Sequence, residues 1–338
     1  MFYFIGGEDH DFTKLGAVAV DTATTAARRT ANARCSLRAS NTSGAIGSEE
    51  WRCDLSQAVS ALWLTARFYI SALSSGTGTN YFICLFDGVN RRLFLTTSTG
   101  GAGGFWRLSK RDTAGTVTVL ATSSVGFVQT ALQKLDMYVN YAVGGNVKVY
   151  LDGTLIIDYA GDVTTNGATT LSSLGLAHPI AVGTGTQFTY WSEIIAASED
   201  TRAMGLVTLP PAANGNTFNW TGSYADLDEI TLNDADIATS ASAGQLAQTT
   251  IASSGITGTP AIRAVCVSAR AQKGGTGPQN AKMNVRTGGM DHLGSTLSLP
   301  VAMARAAYVF ETNPGTSGPW AYTDITAVGF NIGIQSEA

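Results

Sequence analysis

Val147-Lys148-Val149-Tyr150-Leu151-Asp152-Gly153-Thr154-Leu155-Ile156-Ile157-Asp158-Tyr159 consists of two alternating apolar runs joined by an Asp-Gly pair. Asp-Gly suits the centre of a type I′ turn, where both residues need positive φ, so the stretch reads as a β-hairpin. On its first arm Val147, Val149 and Leu151 point one way while Lys148, Tyr150 and Asp152 point the other. That is the pattern of an antiparallel strand with one face buried.

Working outward, strand-like segments recur at 2–5, 34–38, 61–71, 80–86, 92–97, 104–109, 117–120, 134–143, 155–159, 170–176 and 188–197. Gly, Ser, Thr and Asn clusters separate them, as at 74–80 and in Gly100-Gly101-Ala102-Gly103-Gly104. Many short strands with turn punctuation predict a sandwich or jelly roll. Helical spacing is nearly absent, with 55–61 and the turn around 129–132 as the best exceptions. Near residue 205 the text changes. Leu206-Val207-Thr208-Leu209 reads as a last strand and Pro210-Pro211-Ala212-Ala213-Asn214-Gly215-Asn216 as a connector, since paired prolines do not continue a central strand. The expected division is therefore 1–210, a jelly roll, and 211–338, a second and smaller β-sandwich. Strands are expected in the latter at 261–271, 282–286, 306–311 and 328–335, with a short helix from Thr323, whose hydroxyl would cap it.

The chain has 338 residues, enough for about two domains. Charged residues make up 14%, against roughly 25% in an average soluble protein. A hydroxyl-rich shell and a subunit largely covered by neighbours both fit that surface, because charge is depleted where contacts are permanent. Net charge is −4 and the basic residues are scattered apart from pairs such as Arg28-Arg29 and Arg91-Arg92. No basic stripe is present to follow a phosphate backbone, so nucleic acid is not an expected partner. The apolar runs are of strand length, which argues against membrane insertion. The N-terminus lacks a basic-then-apolar leader pattern, so synthesis without secretory export is expected. Cys35, Cys53, Cys84 and Cys266 show no Cys-x-x-Cys spacing, which disfavours zinc. Cys84 and Cys266 read as small buried side chains; Cys35 and Cys53 could approach if their strands pair, against the reduced, structural state that is the expected reading.

The hairpin resembles the one that recurs in concanavalin A-like, laminin-G-like modules. Trp191-Ser192-Glu193-Ile194-Ile195-Ala196-Ala197-Ser198-Glu199-Asp200-Thr201-Arg202 looks like the segment that closes such modules in structural proteins of tailed bacteriophages. Asn219-Trp220-Thr221-Gly222-Ser223-Tyr224-Ala225-Asp226-Leu227-Asp228-Glu229 is similar to the opening of the domain that follows there, and 262–271 and 320–334 to its later strands. The resemblance spans roughly 134–338 and is weakest in the N-terminal third. It implies a concanavalin A-like fold and a virion protein that forms a homo-oligomer with other virion proteins as partners, made in the host bacterial cytoplasm. A fold of this kind does not by itself assign an activity.

Candidate chemistry is sparse. Retaining glucanases need two carboxyl groups on one strand face about 5 Å apart, and no such string occurs in the first domain. Asp226, Asp228 and Glu229 read as a turn or cap. Asp291 beside His292, and His178 before Pro179, carry no nucleophile motif. No catalytic residues are assigned. Glu8, Asp9 and Asp11, with Asp200, are a candidate oxygen-only calcium site, against the alternative of a solvated loop. His10 is the weaker ligand. Among the tryptophans, Trp63 and Trp191 read as core, whereas Trp106 and Tyr190 are candidates for stacking on sugar.

These residues lead to an expected non-enzymatic structural protein of a tailed-phage virion acting through protein–protein contacts. The alternative is a carbohydrate-binding adhesion module for a host surface glycan. A polysaccharide hydrolase is a third, lesser reading.

Overall fold

In a computed structural model, residues 1–16, 18–22, 32–40, 49–71, 80–97, 104–126, 128–177, 188–252 and 256–338 are described. The turn cluster at 74–79, the glycine-rich residues 100–103 and His178-Pro179 lie outside them. The chain is all-β and divides into two compact units, one of Met1–Glu8 with Phe12–Leu206 and one of Asp9–Asp11 with Val207–Ala338. The sequence-based boundary at 210/211 differs from this at 207–210 and at Asp9–Asp11.

The first unit is a sandwich of two antiparallel sheets. One runs Thr154–Gly161, Gly145–Leu151, Leu132–Asn140, Ala61–Ile70, Phe188–Ala197, Ser36–Ser40, Ala19–Asp21, with Phe2–Gly6 also on Phe188–Ala197. The other runs Val117–Gly126, Phe105–Arg111, Asn90–Thr97, Asn80–Asp87, Leu171–Ala177, Glu50–Val59, Thr13–Leu15. Ser36–Ser40, Glu50–Val59, Ala61–Ile70 and Asn80–Asp87 alternate between the sheets, as do the last two strands, which is the connectivity of a jelly roll. The Asp-Gly hairpin forms as its residues dictate. Asp152 and Gly153 have φ of 49° and 82°, and Leu151 pairs with Thr154. Val147, Val149 and Leu151 enter the core, while Lys148 and Tyr150 face away.

One apolar cluster fills the space between the sheets. Phe68 and Trp191 from the first meet Phe82 and Trp106 from the second, with ring centroids 4.8 Å apart for Phe68–Phe82 and 4.4 Å for Phe82–Trp191. Each such side chain contributes about 1.5–3 kcal/mol by leaving water. A smaller cluster of Tyr81, Cys84, Phe86 and Phe94 lies on the opposite, outer face of the seven-stranded sheet. The segment expected to be helical at 55–61 is instead the end of the Glu50–Val59 strand, where Leu55 and Val59 join the core.

The second unit packs a six-stranded sheet, ordered Pro211–Phe218, Leu246–Ile251, Asn331–Glu337, Asn280–Thr287, Met290–Leu293 with Leu297–Ser298 also on Asn280–Thr287, against a two-stranded ribbon of Val265–Ala271 and Ala304–Phe310. Met283, Val285 and Ile334 from the sheet and Val267 and Phe310 from the ribbon share its core. Here two local readings fail. Residues 206–209 form no strand, and Pro211 opens one, on the sheet edge where a missing N–H is tolerated. The helix Tyr322–Ile325 is a single turn capped by the Asp324 carboxylate, which accepts from Ala321 N at 2.8 Å, and not by Thr323.

Candidate functional site

Alternation along Phe105–Arg111 builds the site. Trp106 and Leu108 enter the core, so Arg107, Ser109 and Arg111 stand on the outer face of the seven-stranded sheet. Ladder pairing sets Thr96 and Thr122 beside Arg107, and Val117 beside Arg111. Ser109, Phe94, Cys84, Gly175 and Arg52 lie in one row across five strands. Seven strands about 4.8 Å apart give this face a width of about 29 Å.

Its electrostatics centre on Glu50, which is fully buried. Arg52 reaches Glu50 Oε1 through Nε at 3.0 Å and Nη2 at 2.6 Å, and Arg91 Nη2 reaches Oε2 at 3.0 Å. A carboxylate out of water is tolerable only with such partners, because desolvation otherwise outweighs what it gains. The same guanidinium groups roof the aromatic floor: Arg52 lies 4.0 Å from the Phe86 centroid and Arg91 5.6 Å from that of Tyr81. They keep 23% and 15% of their side-chain surface exposed. Burial pushes the Tyr81 phenol above its ordinary range, opposed by Arg111 and Arg91. Burial, reinforced by Glu50, likewise pushes the Cys84 thiol far up, so it is an inert apolar group.

Arg107 and Arg111 differ from their neighbours. Neither forms an ion pair among the described residues. Arg111 Nε donates to the Gly115 carbonyl at 3.3 Å, and Arg107 Nε is buried with no acceptor among the described residues.

A second cluster lies on the outer face of the eight-stranded sheet. Trp63, Tyr138 and Tyr150 form a half-buried shelf, with ring centroids 5.0 Å apart for Trp63–Tyr138 and 6.3 Å for Trp63–Tyr150. The Arg202 guanidinium covers it, 5.1 Å from Trp63 and 4.5 Å from Tyr150, and is itself held by Asp200 at 2.7 Å. Trp63 therefore faces outward, contrary to the core placement expected of it, whereas Trp191 is core.

The residues singled out for sugar stacking are displaced from that role. Trp106 is 0% exposed and packs edge-on against Phe82 at 5.1 Å, on the core side of its strand. Tyr190 is 2% exposed, against Tyr69 at 5.9 Å. A buried ring offers no face to a sugar.

The calcium candidates have other partners. Glu8 pairs with Arg34 at 3.2 Å in the first unit, and Asp200 with Arg202, whose hydrogen bonds hold its carboxyl below the ordinary range. In the second unit Asp9 accepts from Leu232 N at 3.3 Å and Asp11 from Arg305 Nε at 3.0 Å, while His10 Nε2 lies 3.0 Å from Ser268 Oγ. Among the described residues no three His, Cys, Asp or Glu side chains are grouped so as to hold a metal ion. Asp226 caps a short 3-10 turn, accepting from Ser223 N at 2.6 Å, in keeping with its turn reading. Asp291 is engaged by Arg286 at 3.0 Å and Gln248 at 2.5 Å.

Sequence reasoning missed Glu50, Arg52, Arg91, Arg107 and Arg111. The available signal was the alternation Trp106-Arg107-Leu108-Ser109, which sets Arg107 opposite the core residues Trp106 and Leu108.

No family model matches the chain, and no curated protein sequence matches it. Among solved structures, an endo-β-1,4-glucuronan lyase from Trichoderma reesei is similar at 9% identity and TM-score 0.44, over 59% of this chain and 96% of that one. Cellulose induced protein Cip1 is similar at 14% identity and TM-score 0.40, over 59% and 92%. Carbohydrate-binding module CBM66 from Bacillus subtilis is similar at 12% identity and TM-score 0.32, over 54% and 97%. Likeness at this level says nothing of what the chain binds.

Proposed function

We propose that the first unit is a non-catalytic glycan-binding module whose binding surface is the outer face of its seven-stranded sheet. The observation that carries this reading is the wide face of guanidinium groups laid over an aromatic floor. Its strands pair over a width of about 29 Å, more than a small molecule spans. An extended chain spans such a face and meets several side chains at once. The tailed-phage setting rests on motif resemblance alone and is compatible with this role, as an adhesion module on a particle.

The full-length protein on a glycan array tests the proposal. Binding to at least one polysaccharide is expected, and Thr122→Trp, which adds bulk beside Arg107 without changing charge, should abolish it. Silence across the array, or binding indifferent to Thr122→Trp, overturns the assignment. Release of an unsaturated or reducing product overturns the non-catalytic part.

A further inference from the structure

We propose that the ligand of this face is an acidic glycan whose carboxylate or sulfate groups are bound by Arg107 and Arg111. This rests on the glycan reading above and adds the ligand's charge. The outer face carries Arg52, Arg91, Arg107 and Arg111 against Glu50 and Asp54. Glu50 commits Arg52 and Arg91 through three hydrogen bonds. Arg107 and Arg111 are left without a carboxylate among the described residues, on a chain whose acidic residues outnumber its basic ones, 25 to 21.

Geometry strengthens the point. Arg107 and Arg111 are four residues apart on one strand and share a face, so their Cα atoms stand about 13 Å apart. Two anchors at that separation fit charges repeated along a polymer better than one small anion. Arg107 Nε is buried and lacks an acceptor among the described residues. That donor is closed to a surface ligand, so a bound carboxylate or sulfate would be met by the terminal guanidinium nitrogens of Arg107 and Arg111. Nucleic acid fits less well. The rings of this face, Tyr81, Phe86 and Phe94, are buried and offer no platform for bases.

The test uses the full chain with four probes: polyglucuronate, dextran sulfate, neutral dextran and single-stranded DNA. Binding to polyglucuronate or dextran sulfate, weakening as salt rises, is expected, and which of the two binds more tightly separates carboxylate from sulfate. Arg107→Ala and Arg111→Ala should each weaken it about tenfold, the loss of one charge-assisted hydrogen-bonded contact. Arg107→Lys should fall between. If Arg107→Ala melts early, Arg107→Met keeps the stem over the sheet and replaces it. Preference for neutral dextran, abolished by Thr122→Trp, overturns the charge inference and leaves the glycan reading standing. Equal binding to DNA overturns the glycan class. Acidic glycan binding unchanged by Arg107 and Arg111 substitution overturns the assignment of residues. No binding to any probe, with a silent array, overturns both readings.

Discussion

A β-carbon on Gly175 would lie 3.0 Å from Glu50 Oε2, on the neighbouring strand, and 2.9 Å from the Phe86 ring. Glycine at this position is what leaves room for the buried Glu50 carboxylate, and so for its two arginines, beside the Phe86 ring. Gly175→Ala should therefore destabilise the first unit by about 1–3 kcal/mol, the usual range for overpacking. Tryptophan fluorescence in urea reads the change. An alanine variant as stable as the parent would show that Glu50 shifts freely and that the cluster is not sterically fixed.

Trp106 belongs to the core, and its substitution should act on stability instead of on sugar recognition. Trp106→Ala is expected to cost about 3–5 kcal/mol. Glycan affinity of whatever fraction remains folded should be unchanged. Native-state affinity lost at full stability would return Trp106 to the binding surface.

Arg202 shields the half-buried Trp63–Tyr138–Tyr150 shelf while keeping 41% of its own side-chain surface in water, so the contact holds little energy. Arg202→Ala should lower stability by about 0.5–1 kcal/mol, as expected of an exposed cation–π contact. It should also leave Trp63 open to an aqueous quencher such as iodide. Unaltered quenching would mean that the guanidinium does not cover the ring in solution.

Acidic pH should stabilise the second unit over a narrow window. Asp236 is held above its ordinary value by its hydrogen bond to Asp226, and burial raises Glu229, with Asp236 adding to it. A carboxyl raised in the folded state binds its proton more tightly there than in the unfolded chain. Stability therefore grows as pH falls through the folded values and levels off below the unfolded ones, near pH 4. Glu337 works in the opposite sense: its hydrogen bonds to Lys282 and Thr296 lower it, and that contribution is lost in stronger acid. The melting temperature of the second unit should thus pass through a maximum at about pH 4–5. Asp236→Asn should flatten the rise, and a rise that survives this change would point to other groups.

Much of the architecture was legible in residue order. The 2.0-residue period of Val147–Tyr159 specified a hairpin, and Asp152-Gly153 specified its turn, because backbone sterics act locally and need no partner. Alternation also placed Arg107 and Trp106 on opposite faces. Which of those faces would meet a second sheet is a different question, and periodicity is symmetric with respect to it. That is why Trp106 could be taken for a sugar platform and Arg107 overlooked, and why Trp63 could be taken for core. The convergence of Glu50, Arg52 and Arg91 was equally hidden, since Arg91 and Glu50 are 41 positions apart in sequence and are joined by strand order.

From sequence alone the chain was bound to be a protein of short antiparallel strands, since alternation, turn chemistry and the lack of helical spacing are properties of neighbouring residues. The tertiary structure decided which face of each sheet was sealed against the other, and so which arginines found a carboxylate and which did not. Charge pairing depends on distances between strands remote in sequence, and those distances exist only once the two sheets have closed on their shared core.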